Sequence, residues 1–195
     1  MENKQIFEKY LQIFTEENHK VNLISKNDEK FLWEKHIYDS LSPGLFFEKY
    51  SLPKNLLDIG TGGGFPSVPL AIKYPDIKIT AIDSIGKKIR AVETFKEKLN
   101  LDNLIPICAR VETLDQKFDC VTSRAVASLD KICGYALPKL NKGGYFVAFK
   151  SKKINEEIKQ AEKILKKYNA KIIDIIEYEL PTAEKLERYL IVIRK

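Results

Sequence analysis

Residues 56–72 read LLDIGTGGGFPSVPLAI: an apolar run, four glycines within five positions, then a proline-spaced apolar segment. The first part has the character of a buried strand and the last part that of a helix, so the glycines form the turn between them. Glycine in such a turn permits positive φ and lets a ligand approach the main chain. In an open α/β sheet this turn lies at the carboxyl ends of the strands, where those sheets place their ligands. Pro66 suits the first helical position. The exposed amides and positive end of that helix favour a carboxylate or phosphate.

The pattern continues outward from the turn. Short apolar runs at 55–59, 77–82, 104–108, 118–122, 144–149, 172–178 and 188–193 alternate with amphipathic stretches at about 66–73, 84–99, 125–140 and 152–168. Alternation at this spacing predicts a mostly parallel sheet with right-handed crossovers. The last two runs are joined only by ELPTAEKLE, too short for an easy parallel crossover, so they are expected to pair antiparallel. Seven strands with an antiparallel last strand is the Rossmann-like class I methyltransferase variant of the doubly wound sheet. Residues 1–50 read instead as a helical extension, leaving 51–195 as a single compact domain. One helix is expected over 2–18, with Ile6, Tyr10, Ile13 and Phe14 on one face. A second, capped by Asn27 or Asp28, covers Phe31, Leu32, Ile37 and Leu41 and ends at SPGL.

At 195 residues with 44% apolar and 31% charged composition, the chain is of the size and type of a soluble single domain. No run reaches the roughly 20 apolar residues that cross a bilayer. The start, MENKQIFEKY, is charged and periodic rather than signal-like, so a cytoplasmic location is expected. Cys108, Cys120 and Cys133 are odd in number and widely spaced, which favours buried free thiols over a disulfide framework. His19 and His36 are the only histidines, and no metal site is expected. The net charge of +6 is uneven: residues 1–50 carry seven Lys against nine Asp/Glu, and the basic excess begins near Lys131. That excess suits a polyanionic partner, as it also suits a solvated surface.

Two cofactors compete for the glycine turn. A dinucleotide site is usually G-x-G-x-x-G, but Phe65 stands where its last glycine would fall. The observed order is acidic-x-G-x-G-x-G, formed by Asp58, Gly60, Gly62 and Gly64, which matches class I S-adenosylmethionine (SAM) enzymes. Asp83 ends the second strand, where a carboxylate can accept hydrogen bonds from ribose hydroxyls; capping the helix over 84–99 would also explain it. SAM, leaving S-adenosylhomocysteine as product, is therefore favoured over NAD.

The loop after the fourth strand, VTSRAVASL, lacks the Asn/Asp-Pro-Pro-Tyr of amino-methylating enzymes. Cys120 lies inside an apolar strand rather than in a nucleophile's place. Arg124 remains, at a strand end, where it either serves the site by positioning or pairs a nearby acid. An acceptor whose lone pair is already free, such as nitrogen 7 of guanine, would need neither base nor nucleophile. Catalysis then reduces to in-line positioning.

HIYDSL at 36–41, the glycine turn at 58–72, DSIGKKIRAVE at 83–93, ARVE at 109–112 and TSRAVASL at 122–129 together resemble the RsmG (GidB) family. Five motifs in order make the resemblance specific from about Leu11 to Lys150. It implies methylation of guanine nitrogen 7 in the 530 loop of bacterial 16S ribosomal RNA. It further implies SAM contacts at Gly60, Phe65, Val111, Glu112 and Arg124, with Asp83 at the ribose. Lys87, Lys88 and Arg90 resemble the family's basic cluster and are candidate RNA contacts. His36, Asp39 and Ser40 match its N-terminal signature.

Ser67 and Val111 depart from the family's usual glycine and alanine, and NLISK stands where Asn-Leu-Thr is common. The stretch KSKKINEEIKQAEKILKKY carries Ile154, Ile158, Ala161 and Leu165 as a core stripe, with some of its lysines able to meet RNA. A monomer meeting 16S rRNA or the small subunit, with no membrane partner, is expected. The rivals are a small-molecule or protein methyltransferase on the same fold, an NAD oxidoreductase and a SAM-binding scaffold without catalysis.

Overall fold

A computed structural model describes residues 2–151 and 154–195. Seven strands form its single sheet: β1 (Asn55–Ile59), β2 (Lys78–Asp83), β3 (Leu104–Cys108), β4 (Phe118–Arg124), β5 (Leu140–Lys150), β6 (Lys171–Glu179) and β7 (Glu187–Arg194). Their order is β3-β2-β1-β4-β5-β7-β6. The first five pair in parallel. β7 lies antiparallel to both β5 and β6. All seven expected runs are strands, and the short link between the last two forces the reversal as predicted. The strand order turns back between β1 and β4, which opens the crevice that doubly wound sheets use for ligands.

Both faces of the sheet are covered. Leu56, Ile79, Cys120, Val147 and Val192 face one core, while Leu57, Ile82, Val121, Phe146 and Ile193 face the other. Burial on both sides is why these strands read as continuous apolar runs rather than alternating ones. The helices are α1 (Glu2–Val21), α2 (Lys26–Glu29), α3 (Tyr38–Leu41), α4 (Pro43–Tyr50), α5 (Ser67–Lys73), α6 (Gly86–Leu99), α7 (Leu129–Ala136) and α8 (Ile154–Lys167). Among the described residues none is long and apolar enough to cross a membrane.

Several boundaries differ from expectation for local reasons. Ser25, not Asn27 or Asp28, caps α2: its extended backbone lets Oγ accept from the Asp28 amide at 3.1 Å. The expected second helix is broken into α2, a π-helical stretch over Leu32–Ile37, and α3. Pro43 does not end a helix but begins α4, its fixed φ suiting a first turn. Conversely, Pro66 precedes α5 instead of starting it. Residues 125–128 are loop, because Ala125 takes φ 56°, and α7 starts only at Leu129. Of the expected helix over 152–168, Lys152 and Lys153 lie outside the described residues. Its apolar stripe is core, with Ala161 and Leu165 buried and Lys159, Lys163, Lys166 and Lys167 exposed. Cys120 and Cys133 are buried free thiols as expected, but Cys108, at the end of β3, is exposed.

The N-terminal helices share a core with the sheet. Tyr10 and Phe14 of α1 have no exposed surface. Phe14 stacks on Phe95 of α6 at 5.7 Å and meets Phe65, just past the glycines, at 5.1 Å. Phe14→Ala is therefore expected to cost about 3–5 kcal/mol of unfolding free energy, the usual loss for a buried phenylalanine. Urea titration measures it, and a loss below about 1 kcal/mol would make α1 an appendage.

Candidate active site

The glycine turn hangs from β2. The amides of Gly60 and Thr61 both donate to the Ile82 carbonyl, at 2.8 and 3.1 Å. Gly60 and Gly62 take φ 71° and 58°, a region that costs any other residue strain. Asp83, at the end of β2, then fastens the turn: Oδ2 accepts from the Gly62 amide at 3.0 Å and Oδ1 from the Ile85 amide at 2.9 Å. Asp83 thus joins the turn to the start of α6, although the helix begins two residues later than the sequence suggests. A carboxylate has about four acceptor positions, so two remain for ligand hydroxyls.

Asp58 has no exposed surface and sits behind the turn. Thr122 Oγ1 approaches its Oδ1 at 3.4 Å, and Oδ2 has no partner. Burial pushes its carboxyl up to about 7, opposed by the Thr61 hydroxyl and by the Arg124 charge. Ser67 explains its departure from glycine: its hydroxyl meets that of Thr61 at 2.5 Å inside the turn.

Arg124 ends β4 and pairs a nearby acid, one of the two readings the sequence allowed. Its Nη1 donates to Asp39 Oδ2 at 3.0 Å, a pair only 15% and 8% exposed. It also lines the cleft, with its guanidinium 5.0 Å from the Phe65 ring centroid. The other oxygen of Asp39 accepts from Tyr178 of β6 at 2.6 Å. Burial, then the Asp39 charge, raise the Tyr178 hydroxyl far above its ordinary range. His36 Nδ1 lies 3.3 Å from Arg124 Nη2. Burial, and next the Arg124 charge, lower the His36 pKa to about 4.

A second ion pair fixes the loop after β4. Lys150, ending β5, meets Glu157 of α8 at 2.6 Å and donates to the Ala127 carbonyl at 2.9 Å. Glu157 accepts from the Leu129 amide at 2.7 Å. This clamp holds Val126 over Gly60 so closely that a Cβ on Gly60 would fall 2.5 Å from Val126 Cγ2.

These elements surround an open cleft of about 1230 Å³ at the carboxyl ends of the strands. Gly60, Gly62, Phe65, Asp83, Lys88, Val111, Glu112 and Arg124 all line it, as do His36 and Asp39. Asp58 and Gly64 do not; they shape the turn from behind, Gly64 with φ 89° against Val68. Lys87 and Arg90 are exposed on α6 away from the cleft, leaving Lys88 alone of that cluster inside it. Arg110 and Arg188 also line the cleft, and with Lys88 they have no ion-pair partner among the described residues. The sequence analysis missed Arg110 and Arg188, as it missed the Lys150–Glu157 clamp. Arg110's position inside the ARVE motif was the one available signal.

Fold and cleft together define a class I methyltransferase. Among solved structures, "M. jannaschii TYW2 in complex with AdoMet" superposes with a TM-score of 0.57 at 22% identity, covering 72% of this chain and 67% of that one. A Precorrin-6y C5,15-methyltransferase from Geobacter metallireducens gives 0.54 at 16% identity, covering 90% and 91%. The family model described as rRNA small subunit methyltransferase G (GidB) matches residues 3–185, and the chain belongs to that family. Two relatives are named "Ribosomal RNA small subunit methyltransferase G". The protein from Lactococcus lactis subsp. lactis is 36% identical over 100% of this chain and 84% of its own length. The one from Staphylococcus saprophyticus is 38% identical over 98% and 82%.

The opposed shifts of Asp58 and His36 have a measurable consequence. Folded Asp58 keeps a proton that the unfolded chain releases above pH 3.8, so its contribution to stability falls as pH rises toward 7. Folded His36 refuses a proton that the unfolded chain takes up below 6.5, so its contribution is lost as pH falls toward 4. Between those limits the two oppose each other. Asp58→Asn removes the first, so the variant is expected to gain stability over the original by up to about 1.4 kcal/mol per pH unit as pH rises from about 4.5 to 6.5. Urea unfolding at three pH values reads this, and a pH-independent difference would contradict it.

Proposed function

We propose that the protein transfers a methyl group from SAM to nitrogen 7 of a guanine in the 530 loop of 16S rRNA. SAM supplies a methyl group on a positively charged sulfur. Gly60 and Gly62 line the cleft, with open space over Gly62 for the donor to approach the backbone, the free acceptor positions of Asp83 suit the ribose hydroxyls, and Val111 and Glu112 line the same cleft and suit the adenine. The cleft exceeds the roughly 300–1,000 Å³ that a small ligand fills, leaving room for a nucleotide beside the donor. Lys88, Arg110 and Arg188 supply unpaired positive charge for its phosphates.

The observation that carries the choice of acceptor is the pairing at the ends of β4 and β5. Arg124 is tied to Asp39, Asp39 to Tyr178, and Lys150 to Glu157. These groups are arranged to hold geometry rather than to take a proton, which suits a ring nitrogen whose lone pair is already free. Phe65 and Arg124 line the same cleft.

Labelled SAM incubated with deproteinised small-subunit RNA, and separately with subunits, is expected to place label on guanine nitrogen 7 in that loop. Label on another atom, or transfer independent of RNA, would overturn the proposal. Asp83→Ala is expected to weaken SAM binding by about 1.5–3 kcal/mol, the range of hydrogen bonds to a charged group. Calorimetry on variant whose melting curve remains cooperative measures the loss, and unchanged affinity would remove Asp83 from the donor site.

A further inference from the structure

Of the large apolar side chains exposed among the described residues, only Val126 and Tyr135 line the cleft, and Tyr135 is the aromatic one. Leu129, Ile132, Cys133 and Ala136 fill the inner side of α7, which leaves Tyr135 turned from the core, 39% exposed and in the cleft wall. A Cβ on the neighbouring Gly134 would meet nothing within 4 Å, so the space beside the ring is open. Phe65 and Phe149 line the cleft too, but they are buried and offer no free ring face. Sheet order decides what Tyr135 can meet. The groups that suit the donor, at Gly60, Asp83 and Val111, stand at the ends of β1, β2 and β3, whereas Tyr135 follows β4, on the other side of the crevice. Val126, from the loop between β4 and α7, lies against Gly60, so that side adjoins the donor space directly. An exposed aromatic ring there, in a cleft that also holds Lys88, Arg110 and Arg188, has the makeup of a seat for an unstacked RNA base: a ring for the base and cations for its phosphates.

We propose that Tyr135 binds the acceptor base: its ring stacks on the guanine and faces the positive charge that methylation places there. This rests on the guanine-N7 reading above. In the transfer, the N7 lone pair forms the new N–C bond, the C–S electron pair stays on sulfur, and the positive charge passes from the sulfonium to the purine. No proton moves. The face of an aromatic ring is electron-rich and attracts a cation held over it. Stacking on Tyr135 therefore strengthens as the charge develops, so the ring lowers the barrier as well as holding the base, which equal binding of ground and transition states would not do. An aliphatic side chain of similar size would cover the base without gaining that attraction. The aromatic face, not the hydroxyl, carries the effect.

The test compares Tyr135→Phe and Tyr135→Leu with the unaltered protein on small-subunit RNA. Tyr135→Phe is expected to keep kcat/KM for RNA within about threefold, and Tyr135→Leu to lose about 10- to 100-fold, the range found for removing one base-stacking ring. Calorimetric affinity for SAM should be unchanged in both. A second readout isolates the charge. With S-adenosylhomocysteine present, the affinity for RNA already methylated at the target N7 is divided by that for unmethylated RNA. This ratio should fall about 3- to 30-fold in Tyr135→Leu and hold in Tyr135→Phe. Equal kcat/KM in Tyr135→Leu would overturn the proposal, as would an unchanged ratio. Weakened SAM binding in Tyr135→Leu would also overturn it, by placing the ring on the donor. Photocrosslinking needs no variant: RNA carrying 6-thioguanosine at the target position should link to α7 or the loop before it, and linkage confined to other segments would overturn the proposal even if Tyr135→Leu fails to fold. Absence of guanine methylation by the unaltered protein would instead defeat the underlying reaction, an outcome distinct from a Tyr135→Leu variant that methylates guanine as well as the unaltered protein does.

Discussion

The carboxylate of Asp83 is the constraint on which the cleft depends. One oxygen holds the Gly62 amide and the other the Ile85 amide, so a single side chain fixes the glycine turn and the entry to α6 together. Without it, a turn with four glycines in five residues would have many conformations open to it and a large entropic cost of ordering. The backbone completes the arrangement: the Ile82 carbonyl takes two amides of the turn, and the Asp83 carbonyl takes the Ala109 amide at 3.1 Å. The residues leading to Val111 and Glu112 are thereby set by the same strand end. Bareness at Gly60 and Gly62 and rigidity at Asp83 are two halves of one device.

The second half of the cleft is assembled from distant segments. Asp39 from the N-terminal helices, Arg124 from β4 and Tyr178 from β6 meet in one buried hydrogen-bonded chain. Removing one member would leave a buried charge or dipole uncompensated, which is costly and makes such networks rigid. Residues 1–50 therefore build the cleft wall, and their aromatic contacts with Phe65 and Phe95 anchor that wall to the sheet. The Lys150–Glu157 clamp does the same for the loop carrying Val126.

The sheet was legible because its strands are buried on both faces and separated by amphipathic helices, a pattern that survives any detail of packing. The glycine turn was legible because its chemistry is local: positive φ at Gly60 and Gly62, and an acid at the end of the next strand. Asp58 and Gly64 shared that motif, yet they serve the turn from behind, a distinction of depth that spacing does not carry. Lys87 and Arg90 lie outside the cleft for a related reason. Adjacent helical positions point in different directions, and only Lys88 faces the cleft. Asp39, Tyr178, Lys150 and Glu157 meet through tertiary contacts of 28 or more positions' separation or across a strand end, so no periodicity announces them. The N-terminal segment misled in its boundaries because Ser25 and Pro43 act as helix starts where the pattern suggested loop and stop.

Amide hydrogen exchange on the protein with and without SAM tests the central claim most directly, since it reads the turn residue by residue. The account predicts that added SAM slows exchange over 60–65, at 83–85 and at 111–112 together, because one ligand spans the two strand ends. Protection confined to some other part of the chain, or none at saturating SAM, would contradict it.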